Sequence, residues 1–299
     1  GATASNSKDW TGKISDLKIY GTSNGSAVGT SADIKTNYDA TADLYRATSV
    51  GNIVTSNLVL NLDAANAKTN GLEPYSNGCA AGDLSWYDLS SNAFTGTLTS
   101  FSSCGSSTGW NGDGTKTISG TAGPYRATFN GSSNYVDVGS SATLKGLADS
   151  SFTVEAWVYS SLNSTDATIV GNAWDTAGWH LRVSSANKGR LILITNGTNY
   201  KYSETSVLSA GWHHLAGTWN GTSAITYVDG ASSSSTSSSG SLSGMTSTLN
   251  TYVGNLSGQS KYFVGSIALV RIYSSALSSS AISQNCKANQ ARFTGASCN

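Results

Sequence analysis

The stretch Gly211–Gly230, GWHHLAGTWNGTSAITYVDG, reads as two β-strands joined by a tight turn. Trp212, Leu215 and Trp219 supply packing before Asn220-Gly221, and Ile225, Tyr227 and Val228 supply it afterwards. The Asn-Gly pair offers the positive φ angles that a hairpin turn needs. The stretch also sets His213 beside His214 and closes on Asp229, which raises a metal or catalytic centre as the alternative. Adjacent residues of a strand point to opposite faces, so the two imidazoles cannot hold one ion together. A zinc set would need acids or thiols brought from elsewhere. The hairpin reading is preferred, and His180 in GWHLRV is read as structural in the same way.

Outward from the hairpin the same grammar repeats. In SFTVEAWVYS, Phe152, Val154, Ala156 and Val158 alternate with Thr153, Glu155, Trp157 and Tyr159, the pattern of a strand with one dry face. GRLILITNGTNYKYS reads as a second hairpin turning at Asn196-Gly197, and FVGSIALVRIYSSAL supplies a later strand. Many short strands punctuated by Asn-Gly turns predict an all-β, antiparallel sandwich of jelly-roll type. The serine-rich run from Ala231 to Ser241 has strands on both sides and is read as a polar edge strand or long loop rather than a linker.

Composition narrows the partners. The 299 residues carry 17 basic and 17 acidic side chains, and only 11% are charged, so no basic field exists to neutralise nucleic acid. No apolar run is long enough to insert in a membrane. Cys79, Cys104, Cys286 and Cys298 are even in number, which fits two disulfides and an oxidising compartment. Proximity favours Cys79 with Cys104 and Cys286 with Cys298 among three connectivities.

A partial repeat marks the N-terminus. DWTGKISDLKIY, Asp9–Tyr20, aligns with YFVGSIALVRIY, Tyr262–Tyr273, through Gly12, Ile14, Ile19 and Tyr20. Residues 1–50 are therefore expected to be the C-terminal end of an upstream copy in a larger protein, and residues 56–299 the main domain. The apolar pattern of residues 9–46 further predicts β structure packed outside that domain and a homo-oligomer, with a trimer suspected.

LVLNLDAANA, SWYDLSSNAFTGTL, ATFNGSSNYVDVGSSATL, FTVEAWV, GWHHLAGTW, YVDG, YVGN and FVGSIALVRIYSSALS follow one another in an order that resembles the concanavalin A-like laminin G family. The resemblance covers roughly residues 58–293 and implies two curved antiparallel sheets, often with a calcium site on one rim, in secreted or surface proteins that bind glycans or other proteins.

Candidate site residues lie mostly in loops. GNAWDTAGW carries Asn172, Trp174 and Asp175, an aromatic ring with an amide and a carboxylate, which is the composition of a glycan site. The competing reading makes Trp174 a loop anchor. Asp113 in WNGDGT and Asp137 in YVDVG are candidate calcium ligands, the second by family likeness. Only Glu73, Glu155 and Glu204 represent glutamate, and none has a second acid within its strand of the kind a glycan-cleaving jelly roll uses, so the chain is expected not to be an enzyme. The resulting expectation is an extracellular adhesion or recognition module for carbohydrate, of the kind carried by bacterial or phage surface fibres. A self-associating fibre or tip domain is the alternative, and a glycoside hydrolase comes third.

Overall fold

The computed structural model describes residues 52–65, 84–101, 108–112, 123–162, 165–174, 176–195, 199–233, 235–239 and 244–299. The expectations for residues 1–50, including the upstream copy and the oligomer, lie outside them. So do Cys79, Cys104, Asp113 and Asp175.

In chain order the strands begin with β1 (Leu58–Asp63), β2 (Ser85–Trp86), β3 (Gly96–Thr99), β4 (Gly109–Asn111), β5 (Arg126–Asn130) and β6 (Tyr135–Gly139). A short helix, α1 (Ala142–Lys145), precedes β7 (Phe152–Ser160), β8 (Ala167–Gly171), β9 (Gly178–Val183), β10 (Lys188–Ile194) and β11 (Tyr200–Val207). Then follow β12 (Gly211–Trp219), β13 (Ala224–Val228), β14 (Ala231–Ser233), β15 (Ser235–Ser239), β16 (Thr251–Val253), β17 (Val264–Tyr273) and a C-terminal helix, α2 (Ser279–Gln290).

These strands form two antiparallel sheets. One runs β14-β13-β12-β7-β17-β5-β4, with β1 also on β17, and the other runs β15-β11-β10-β9-β8-β16-β6-β3-β2. The expected sandwich is present. Leu60, Phe129, Val154, Leu181, Leu191 and Leu215 belong to the continuous core between the sheets. The hairpin that opened the sequence reading is β12–β13, paired from Leu215↔Val228 to Trp219↔Ala224. Asn220 Oδ1 accepts from the backbone N–H groups of Thr222 and Ser223 across its loop. Asp229 and Gly230 both have positive φ, +51° and +82°, which gives the tight turn into β14. The serine-rich run becomes β14 and β15, one on the edge of each sheet.

One expectation changes. β7 is dry on both faces, not one, because the outer side of its sheet is covered by the C-terminal helix. Trp157 stacks on Phe293 at 4.3 Å, and Trp212 packs on the same ring at 4.6 Å. Cys286 and Cys298 form the expected disulfide and close the tail over this cluster. Ile282 adds a second contact against Ala216 and Tyr227. Ser278 caps α2 by accepting from the Ala281 N–H.

Beneath α2 lies a buried polar network. Glu155, fully buried, accepts from Arg271 at 2.9 Å and from Asn285 at 3.1 Å, with His214 Nε2 3.4 Å away. Burial pushes the Glu155 carboxyl up, but His214 and Arg271 outweigh it and bring it down to about 2. The strand glutamate that sequence singles out is thus a structural anion that ties β7, β17 and α2 together.

Candidate functional site

With one sheet covered by α2, the outer face of the nine-stranded sheet is where side chains remain partly open. Along β9, Trp179, Leu181 and Val183 join the core, so His180 and Arg182 point outward. Along β10, Leu191 and Leu193 are inside, which turns Lys188, Arg190, Ile192 and Ile194 outward. The register Arg190↔Glu204, Ile192↔Tyr202 and Ile194↔Tyr200 places those three residues of β11 on the same face. Across β8, Tyr252 and Asp137 are paired neighbours, and Tyr135 stacks on Tyr252 at 4.7 Å. Aromatic rings therefore occur from β11 to β6, a span of about 24 Å at the usual strand spacing.

Trp174 lies at the middle of this face. Its loop is cinched by two glycines: a Cβ on Gly171 would meet His180 Cβ at 2.3 Å, and one on Gly178, whose φ is +143°, would meet Asn172 Oδ1 at 2.4 Å. Asn172 is buried, with Oδ1 accepting from the Trp179 N–H and Nδ2 donating to Leu144 O. Its amide holds the loop and is not free to take a ligand hydroxyl. The half-buried Trp174 is thereby set against His180 at 5.3 Å and an interplanar angle of 19°. The Arg182 guanidinium lies 4.9 Å from the indole centroid and the Lys261 ammonium 4.1 Å. Trp174 is thus an anchored loop residue whose ring lies on the open face.

The electrostatics of the face are basic. Glu204 accepts from Lys188 at 2.7 Å and from Arg190 Nε at 3.0 Å, and Arg182 pairs with Asp166 at 3.3 Å. Burial pushes the Glu204 carboxyl up, but the hydrogen bonds from Lys188 and Arg190 bring it down. Burial, followed by the Arg182 charge, depresses His180 to about 3, so its imidazole is neutral. Its Nδ1 donates to Ala173 O at 2.6 Å, which fixes the tautomer and leaves Nε2 as a buried acceptor without a partner among the described residues.

The histidine pair separates as the strand geometry requires. His213 Nδ1 meets Asp229 at 2.7 Å, and Nε2 lies 3.1 Å from both the hydroxyl and the carbonyl of Ser209. Burial pulls His213 down, but the Asp229 contact raises it above its ordinary value. With a carboxylate on one nitrogen and a carbonyl on the other, the ring suits a charged double donor better than a base for Ser209. His214 instead faces Glu155 under α2. No group of three His, Cys, Asp or Glu side chains that could hold a metal occurs among the described residues. Asp137 accepts from the Gly139 N–H and the Asn250 amide. Those N–H neighbours do not fit the oxygen shell of a calcium ion.

Sequence reasoning passed over Arg182, Arg190, Tyr202, Tyr252 and Lys261. The signal was the period of two in GWHLRV and YKYSE, where polar and aromatic residues alternate with core positions.

A sequence model for the concanavalin A-like lectin/glucanases superfamily, of Laminin_G_3 type, matches residues 130–283. No curated protein matches the chain. Among solved structures, Trypanosoma rangeli sialidase in complex with the inhibitor DANA superposes with a TM-score of 0.54 at 14% identity, over 88% of this chain and 40% of that one. A Trypanosoma rangeli sialidase mutant displaying trans-sialidase activity gives 0.52 at 13% identity, with the same coverage. The binding domain of Paraclostridial Mosquitocidal Protein 1 gives 0.52 at 17%, over 79% of this chain and 52% of that one. The chain thus spans about half the length of these proteins or less, and at such identities the likeness concerns the fold. It corrects one expectation. The reading that the chain is not an enzyme does not stand, because this fold also occurs in sialidase structures and gives no ground for setting catalysis aside.

Proposed function

Since the chain belongs to the concanavalin A-like lectin/glucanases superfamily, we propose that it recognises carbohydrate, outside the cell or at its surface, on the open face of the nine-stranded sheet. The observation that carries this reading is the aromatic run on that face: Tyr200 and Tyr202, Trp174, then Tyr252 and Tyr135. Sugar rings present C–H faces that stack on aromatic side chains, and their hydroxyls need a few fixed polar partners. Lys188, Arg190, Glu204 and Asp137 stand among the rings in that role. On the opposite sheet α2 and Phe293 cover the outer side of β7, β12, β13 and β17. The Cys286–Cys298 disulfide suits an oxidising compartment, and no helix among the described residues is long and apolar enough to cross a membrane.

The test is a glycan array followed by calorimetry on the best binder, using the full chain and the variants Trp174→Ala, Tyr202→Ala and Tyr252→Ala. The reading expects each variant to weaken binding while the protein stays folded. Unchanged affinity in all three would overturn it. The same glycans are followed for cleavage by chromatography, which tests catalysis directly.

A further inference from the structure

We infer that the carbohydrate taken by this face is acidic, and that its anionic group sits against Arg182 and Lys261 beside Trp174. The inference rests on the glycan reading of the open face and names the ligand class for it.

The chain as a whole is charge-balanced, with 17 basic and 17 acidic residues. Among the described residues around Trp174 it is not: Lys188, Arg190, Arg182 and Lys261 are four cations against two carboxylates, Glu204 and Asp166. Both carboxylates are already engaged, Glu204 by Lys188 and Arg190, and Asp166 by Arg182. His180, held neutral by burial, adds no charge on either side.

Arg182 makes the case specific. Its side chain is only 8% exposed, yet among the described residues its one ion pair is a single 3.3 Å contact from one terminal nitrogen, and Nε has no hydrogen-bond partner. A guanidinium carries five N–H donors in a rigid fork that matches a planar carboxylate or a tetrahedral sulfate. A cation buried this deeply without its donors satisfied is costly to the fold, and an arriving anion relieves that cost. The Lys261 ammonium lies over the same indole and has no carboxylate partner among the described residues. A sugar ring stacked at Trp174 would bring its carboxylate or sulfate between the two cations. A neutral sugar would desolvate them and return only weaker hydroxyl contacts. Carboxylate and sulfate share this chemistry, so the assay separates them.

The experiment is calorimetric titration of the full chain with three probes of equal length: an oligogalacturonate, a sulfated oligosaccharide and a neutral malto-oligosaccharide. At about 50 mM salt at least one acidic probe should bind roughly tenfold tighter than the neutral one, and the advantage should shrink at about 500 mM salt. Which acidic probe wins assigns carboxylate or sulfate. Lys261→Gln should weaken the acidic probe roughly fivefold, whereas Lys287→Gln, the same charge change on α2, should leave it unchanged. The inference is overturned if the neutral probe binds as well as the acidic ones, or if Lys261→Gln and Lys287→Gln behave alike. In those outcomes the glycan reading survives, through the neutral probe in the first and through the acidic probe in the second. Binding of no probe, with no hit on the array, overturns both.

Discussion

Replacing Glu155 by Gln should separate what the covered sheet does from what the open one does. Glu155 is fully buried, and its carboxylate is the counter-ion of Arg271, which is itself 2% exposed. Gln keeps the shape but removes the hydrogen-bonded counter-ion of buried Arg271, which then feels only the more distant Asp63, a change that typically costs about 3–5 kcal/mol. The linkage argument gives a similar figure. The folded carboxyl titrates at about 2 instead of its ordinary 4.5, so its contribution is present above pH 4.5 and is lost as pH falls towards 2. A shift of that size corresponds to about 3 kcal/mol. Urea denaturation of wild type and Glu155→Gln at neutral pH, with m-values compared, measures the loss. The variant should also show a flatter stability profile below pH 4.5. Affinity for the best glycan should not change, because Glu155 lies on the other sheet. A loss under about 1 kcal/mol, within the range of an ordinary surface pair, would refute the claim that this network fastens α2 to the sandwich.

Four further outcomes follow from the same geometry. Replacing both Cys286 and Cys298 by Ser, which opens a bridge of sequence separation 12, should cost about 3 kcal/mol in the chain-entropy estimate, and a melting temperature unmoved from wild type would contradict it. His180 titrates at about 3 in the fold against 6.5 ordinarily, so the unfolded chain takes up its proton first and stability should fall as pH drops from 6.5 towards 3. Trp174→Ala uncovers that ring, and NMR titration should find its pKa higher than in wild type; an unmoved value would show that the indole does not bury it. Gly171→Ala places a methyl 2.3 Å from His180 Cβ and 2.7 Å from the Trp179 carbonyl oxygen, and should cost about 1–3 kcal/mol and disturb the site, whereas wild-type stability would reject the close approach.

Alternation carried much of the fold. Phe152, Val154, Ala156 and Val158 on one face of β7 and the turn residues Asn220 and Asp229 could be read without coordinates, because strand period and turn chemistry are local properties. The dryness of β7's other face could not, since Trp157 and Glu155 are covered by Phe293 and Asn285, which lie more than 100 residues away in sequence. The amphipathic signal of α2 is also weak: Ile282 and Cys286 stand among serine, asparagine and glutamine. Trp174 was visible as an aromatic in a polar loop. Its neighbours were not, because Arg182 and Lys261 meet it only through sheet register and a distant loop. Asn172, two residues before it, turned inward because Gly178 and Trp179 fold back on its amide.

The central claim is that ligand meets the protein on the open face around Trp174. The most direct measurement is a titration of the isotopically labelled full chain with the best acidic oligosaccharide, following backbone amide and Trp indole resonances. The account predicts that the shifted signals cluster on Trp174, Arg182, Arg190, Tyr202, Tyr252 and Lys261, with those of Trp157, Trp212 and α2 unmoved. Shifts centred on α2 or on the β12–β13 turn, with Trp174 and its neighbours silent, would contradict it.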